Sequence, residues 1–171
     1  MRLLGLDPGL QRTGWGVIEV QHNLLRFLAA GVVVTDPEQA LAWRLDALYR
    51  GLKEVVAVHA PQFAAVEETV INRNAGSSLK LGQARGVVLL AAAHAGLAVT
   101  EYASKTVKRA VVGTGAAHKR QVAMMVRVLL PASGRLTLDA ADALAIAICH
   151  AHHAATLRSR AAAPVPAGPR L

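Results

Sequence analysis

Apolar positions along the chain form short continuous runs in some segments and recur at helical spacing in others. Short apolar runs bounded by Gly, Pro, Asp or Asn are typical of buried β-strands. The first three runs are joined by short connections, which predicts an antiparallel meander at the start of the fold. The predicted strands are Arg2–Asp7, Thr13–Gln21, Leu24–Thr35, Phe63–Glu67 and Leu97–Tyr102.

Helical spacing appears between and after these runs. The first helix is expected to begin at Asp36-Pro37-Glu38, with Asp36 as the capping residue, and to run to about His59. Its leucines and valines recur every three or four residues, as one buried helix face requires. The other predicted helices are Ala75–Ala95, Ser104–Val111, His118–Leu129 and Asp139–Leu157.

This order of elements predicts an α/β fold, with a five-stranded mixed sheet flanked by helices. Strands one, four and five can run parallel to one another through right-handed helical crossovers. We expect one domain over residues 1–157. Residues 158–171 end in a segment rich in Ala, Pro and Gly, which predicts a disordered tail.

The composition favours a polyanionic partner. Among 171 residues the formal net charge is +8, while 53% of the residues are hydrophobic. Such a balance favours nucleic acid over membrane as the partner. The longest apolar run, residues 86–99, is too short to cross a bilayer, and Asp7 comes too early for a signal peptide. A cytoplasmic protein without a membrane partner is therefore expected.

Two acidic residues stand where predicted parallel strands end. Asp7 follows Leu3-Leu4-Gly5-Leu6, and Glu67 follows the run from Phe63 to Val66. Ligand sites in α/β sheets lie beyond the carboxyl ends of parallel strands, so both carboxylates are candidate site residues. Asp7 could instead cap the Pro8-Gly9 turn. Glu67 and Glu68 point to opposite faces, and periodicity does not decide which of them would join Asp7.

A second acidic pair opens the last helix. Asp139 and Asp142 are three residues apart, so both can face the same way. Asp139 as an N-cap with Asp142 in the first turn would also be favourable helix design, and the two interpretations are compatible. Carboxylates gathered at one place would repel one another without a cation. Their hard oxygen atoms suit Mg²⁺ or Mn²⁺, and no Cys/His spacing for zinc is present.

Basic residues flank a glycine-containing break late in the chain. Lys108-Arg109 precedes Gly113-Thr114-Gly115, and His118-Lys119-Arg120 follows it. Any one pair is more often a solvated face. As a cluster with few acidic residues nearby, these cations indicate contacts with a phosphate backbone.

Several separate blocks of the sequence resemble RuvC-type Holliday-junction resolvases. They occur in the order of that family and extend from Arg2 to about His153. The blocks are Leu4–Gly9, Thr13–Ile18, Lys80–Gly86, Glu101–Ala103, Val107–Lys108 and Asp139–Ala147. The resemblance implies a ribonuclease-H-like fold and a homodimer that acts on four-way DNA junctions. It also implies an endonuclease of recombination and repair, whose two symmetric cuts leave 5′-phosphate and 3′-hydroxyl ends.

The resemblance also assigns roles to residues. It implies that the catalytic and metal-binding residues are Asp7, Glu67, Asp139 and Asp142, and it selects Glu67 over Glu68. Lys108 and Lys119 match basic positions that the family uses near the DNA backbone. Together with Arg120 and Arg73 they are the predicted DNA-binding residues. Two Mg²⁺ ions per active site, with Mn²⁺ as a possible substitute, would complete the site.

The resemblance also implies partners, and two positions depart from the family pattern. The helix predicted at Ala75–Ala95 matches the helix through which the family dimerises, and a branch-migration helicase complex is the implied protein partner. Val70 stands where relatives often carry an aromatic residue, and Trp15 replaces a frequent Tyr.

Three other functions share part of these motifs. Gly5–Gly9 also resembles the first phosphate loop of actin-like and Hsp70-like ATPases, but those proteins need two such domains. Nucleases that process ribosomal RNA precursors share the first motif and lack the Lys80–Gly86 block. A junction-binding module without catalysis would not need the complete acidic set.

Overall fold

The computed structural model describes residues 1–22, 24–68 and 75–162, with residues 155–162 described as helical backbone. Five strands and five α-helices are present in this part of the chain. The strands are β1 (Arg2–Asp7), β2 (Arg12–Gln21), β3 (Leu24–Val34), β4 (Phe63–Glu67) and β5 (Ala98–Tyr102). The helices are α1 (Leu41–His59), α2 (Ala75–His94), α3 (Ser104–Val112), α4 (Lys119–Leu129) and α5 (Leu138–Ala162), and a short 3-10 helix covers Pro131–Ser133.

The strands form one sheet in the order β3-β2-β1-β4-β5. The meander β1-β2-β3 is antiparallel, whereas β4 pairs in parallel with both β1 and β5. The predicted mixed sheet is therefore confirmed. Because β1 lies in the middle of the sheet and β4 runs beside it in the same direction, the carboxyl ends of these two strands are neighbours.

Helices cover both faces of the sheet. Leu3 of β1 packs with α3, α4 and α5 on one face, and Leu4 and Leu6 pack with α1 and α2 on the other. Helix α5 lies directly on the sheet, since a Cβ at Gly5 would collide with the Ala143 carbonyl. No helix of the described chain combines the length and hydropathy of a membrane span.

Two helix boundaries differ from those predicted. Helix α1 begins at Leu41 rather than at Asp36. The Asp36 carboxylate accepts a hydrogen bond from the Glu38 amide at 3.0 Å, so it closes a local turn instead of capping the helix.

Helix α5 begins at Leu138 and continues past Leu157 to Ala162. Residues 158–162 are therefore helical, as their content of Ala and Arg, both strong helix formers, favours. The division into one domain and a tail stays a prediction, and residues 163–171 lie outside the described residues.

Candidate active site

Asp7 ends β1 on a tightly closed turn. The Thr13 hydroxyl accepts a hydrogen bond from the Gly9 amide at 3.2 Å and donates one to the Gly9 carbonyl at 2.7 Å. Thr13 is fully buried, and a Cβ at Gly9 would collide with the Arg12 carbonyl. The Thr13 side chain, and not that of Asp7, therefore forms the hydrogen bonds that close this turn. The Asp7 carboxylate is left for the site.

Glu67 ends β4 beside Asp7. The neighbouring pair Leu6 and Val66 is in register, so both carboxylates leave the sheet at the same edge. A hydrogen bond from the Ser104 side chain, at the start of α3, holds Glu67. Glu68 is exposed, and its amide donates to the Tyr102 carbonyl at 2.9 Å. The choice between these two residues thus follows from the sheet, which turns Glu67 into the site and Glu68 out of it.

Helix α5 brings the second acidic pair to the same edge. A Cβ at Gly14 of β2 would collide with the Asp139 carbonyl, so the first turn of α5 rests on the sheet. Thr137 caps this turn, since its hydroxyl accepts from the Ala140 amide at 3.3 Å. The alternative in which Asp139 is the N-cap is therefore wrong.

These elements enclose a cleft of about 90 Å³. Its ionisable and polar lining comes from five elements of the fold, β1, β4, α3, α4 and α5. The residues are Asp7, Glu67, Ser104, Lys108, Lys119 and Asp142. Val107 and Val122 form apolar walls beside them, so the carboxylates stand in surroundings that solvate charge poorly.

Two ion pairs hold the acids of α5. The ammonium group of Lys119 donates to Asp142 at 2.9 Å. Asp139 lies at the rim, where Arg12 Nε donates to it at 2.7 Å, and it does not line the cleft. The two members of the predicted pair therefore have different surroundings.

Burial and mutual repulsion shift the proton affinities of the acids. Burial raises the pKa of Asp7 to about 7, with further increases from the charges of Glu67 and Asp142. Burial also raises the pKa of Glu67, although the Ser104 hydrogen bond opposes the shift. The pKa of Lys119 is raised by its hydrogen bond to Asp142. The cleft thus favours an additional positive charge.

The donor set fits a hard divalent cation. Asp7, Glu67 and Asp142 supply carboxylate oxygens, which Mg²⁺ and Mn²⁺ prefer. Within the described ranges, no three acidic, His or Cys side chains already stand in the arrangement of a metal site. Lys119 and Arg12 each form an ion pair with one of the two carboxylates of α5.

The other predicted site residues are distributed as follows. Lys108 lines the cleft, whereas Arg120 is exposed on α4 and does not. Arg73 and Val70 lie outside the described residues. Sequence reasoning missed Ser104 and Arg12. Ser104 could have been found by its position in the first helical turn after a parallel strand, but no local signal marks Arg12.

The fold and the acidic cleft together define a nuclease of the ribonuclease-H-like class. A family model described as "Crossover junction endodeoxyribonuclease RuvC" matches residues 3–150. The chain belongs to this RuvC family, whose members are metal-dependent nucleases. The resemblance found in the sequence is thereby confirmed and is favoured over the ATPase alternative.

Individual relatives agree with this assignment. The RuvC crossover junction endodeoxyribonuclease of Acidiphilium cryptum is 61% identical over 155 residues, which cover 91% of this chain and 93% of the relative. That of Rhodospirillum rubrum is 60% identical over 163 residues, covering 95% and 96%. The solved structure of Thermus thermophilus RuvC in complex with Holliday junction substrate aligns with a TM-score of 0.84 at 37% identity, covering 91% of this chain and 96% of that one. The yeast mitochondrial resolvase Ydc2, with a TM-score of 0.67 at 12% identity, shares the fold.

Proposed function

We propose that this chain resolves four-way DNA junctions by paired, symmetric, metal-dependent hydrolysis of phosphodiester bonds in recombination and repair. The products would carry 5′-phosphate and 3′-hydroxyl ends. The observation that carries the proposal is the acidic cleft at the ends of β1 and β4, flanked by Lys108 and Lys119, in a chain that matches the family over residues 3–150.

Within this proposal, Asp7, Glu67, Asp142 and Asp139 would hold the metal. Divalent cations, proposed to be two Mg²⁺ with Mn²⁺ as a substitute, would supply Lewis-acid stabilisation of phosphodiester hydrolysis. Ser104 orients Glu67 through its hydrogen bond. Lys119 stands beside Asp142 in the cleft, where its charge can offset negative charge that develops on a phosphate.

DNA binding would rest on the cations around the cleft. Lys108 and Lys119 line it, and Arg120 is exposed on the same helix as Lys119. We propose these three residues, together with Arg73, as contacts to phosphate groups. The net charge of +8 supports attraction to a polyanion that does not depend on sequence.

We further propose a homodimer formed through α2, because two symmetric cuts need two sites. Leu79 and Leu90 of α2 are 65% and 48% exposed. Gly82 and Gly86 lie between them, and a Cβ at either would meet no atom within 4 Å. The spacing of these four residues places them on one helix face, where the glycines would permit close approach of a second copy. A branch-migration helicase complex as partner stays a proposal from the family resemblance, and a cytoplasmic location stays a proposal from the sequence.

A nuclease assay tests the proposed activity. The chain is incubated with a labelled four-way junction or with linear duplex, in Mg²⁺ or in EDTA. We expect paired cuts of the junction alone, and only with Mg²⁺. Asp7→Asn should abolish cleavage while junction binding survives, and Glu68→Gln is the matched control because Glu68 lies outside the cleft. Full cutting by Asp7→Asn would refute the role of Asp7.

A further inference from the structure

Arg12 forms an ion pair at the rim of the acidic cleft that the proposed mechanism does not use. Its Nε lies 2.7 Å from Asp139 Oδ2. This is the one side-chain hydrogen bond of Arg12 with the described residues, and the side chain is 46% exposed. The guanidinium group therefore keeps donors for another acceptor.

The backbone on both sides of this ion pair belongs to closely packed elements. Arg12 begins β2 and follows the turn that the buried Thr13 closes onto Gly9. Asp139 opens α5 at the point where that helix touches Gly14. Because both residues stand on closely packed elements, the rearrangement proposed below involves only the two side chains.

The ion pair is weak enough to be exchanged. Exposed pairs between Arg and a carboxylate contribute little to stability. A divalent cation attracts Asp139 more strongly than a single guanidinium charge does. A released guanidinium would stand beside the cleft with the planar set of donors that matches a phosphate group.

We propose that Arg12 is a positioning residue that holds Asp139 in the metal-free protein and passes to a DNA phosphate when metal takes that carboxylate. The inference rests on the proposed function, since it assumes a metal and a DNA backbone at the cleft. In this proposal the roles of Asp139 and Arg12 are coupled, because metal binding to Asp139 releases the Arg12 guanidinium for a phosphate of the substrate.

Metal titration of the DNA-free protein tests the first half. Mn²⁺ binding is measured by calorimetry for the unmodified chain, Arg12→Ala, Asp139→Asn and the double variant. We expect Arg12→Ala to bind Mn²⁺ about two- to fivefold more tightly, because the competitor for Asp139 is gone. In the Asp139→Asn background the same change should have no effect. Equal tightening in both backgrounds would indicate a general charge effect and overturn the proposal, as would no tightening at all.

Junction binding tests the second half. Affinity is measured against salt concentration in EDTA and in Ca²⁺, with Arg26→Ala as control because Arg26 pairs with Glu19 toward the other end of β2. Arg12→Ala should reduce the salt slope by about one in Ca²⁺ and much less in EDTA, and Arg12→Lys should keep the slope. An equal slope for the unmodified chain and Arg12→Ala in Ca²⁺ would overturn the proposal. Failure of the unmodified chain to cut junctions would refute the proposed function instead, while these titrations would still decide the role of Arg12.

Discussion

The ammonium group of Lys119 donates a hydrogen bond to the Asp142 carboxylate at 2.9 Å, so the acidic cleft contains its own positive charge. This pair links α4 to α5 across the site that also contains Asp7 and Glu67. Burial, together with repulsion from the other carboxylates, raises the pKa values of Asp7 and Glu67. Several measurable consequences depend on this imbalance.

Asp7→Asn should stabilise the metal-free protein at neutral and higher pH. The pKa of Asp7 is raised from 3.8 to about 7, so its favourable contribution is present below about pH 4 and is lost as the pH rises toward 7. Asn keeps the shape without the charge. At about pH 8 we expect a gain on the order of 1–3 kcal/mol in the free energy of unfolding.

Urea denaturation in EDTA at about pH 4.5 and about pH 8 checks this prediction. The difference between the variant and the unmodified chain should be small at the lower pH. A stabilisation of the same size at both pH values would contradict the electrostatic cause. Added Mg²⁺ should stabilise the unmodified chain more than Asp7→Asn.

Metal affinity should fall as the pH decreases below about 7. Asp7 must lose its proton before it can bind a cation, and its pKa is about 7. We expect up to about a tenfold loss of affinity per pH unit below that value. Calorimetric titration with Mn²⁺ over this range measures the slope. If Asp7→Asn showed the same slope, another group would have to be responsible.

Ser104→Ala should shift the pH profile of cleavage to higher pH. The Ser104 hydrogen bond lowers the pKa of Glu67 against the effect of burial, so its loss leaves Glu67 protonated at a higher pH. On the acidic side of the profile we expect about three- to tenfold lower activity, as a lost hydrogen bond to a charged group would cause. Thr100→Ala on the exposed edge of β5 serves as control. An unchanged profile would show that Ser104 does not tune Glu67.

Lys108→Ala should weaken junction binding and reduce its salt dependence. One lost phosphate contact lowers the slope of log affinity against log salt by about one. Lys53→Ala removes the same charge from α1 on the opposite face of the sheet and should leave the slope unchanged. Fluorescence anisotropy with a labelled junction gives both slopes, and equal values for the two variants would remove Lys108 from the interface.

Leu90→Glu should convert the proposed dimer into monomers. A charge at Leu90, at one end of the exposed α2 face, would have to be buried without a partner if two copies packed there. Sedimentation velocity measures the change in mass. Met124→Glu introduces the same side chain at a position that is 62% exposed on α4 and should leave the assembly unchanged. A dimer that persists in Leu90→Glu would place the interface elsewhere.

The sequence predicted those features that depend on neighbouring residues. All five strands were expected within a residue or two of their observed bounds, because a buried strand shows its apolar run locally. Asp7 and Glu67 could be placed together because helical crossovers bring parallel strands side by side with their carboxyl ends aligned. The predicted helix start at Asp36 was wrong, because an Asp carboxylate accepts the same kind of amide hydrogen bond when it caps a helix as when it closes a turn.

Only the tertiary structure decided how the charges are paired. Arg12 and Asp139 are separated by 127 positions, and no periodicity relates residues so far apart. Their contact exists because α5 packs on Gly14, which depends on the whole sheet being formed. The proton affinity of Asp7 is a property of the same assembly, since burial and the charges from β4 and α5 reach it only after folding. Local sequence thus places the carboxylates at the ends of strands and helices, whereas long-range packing sets their ion pairs and pKa values.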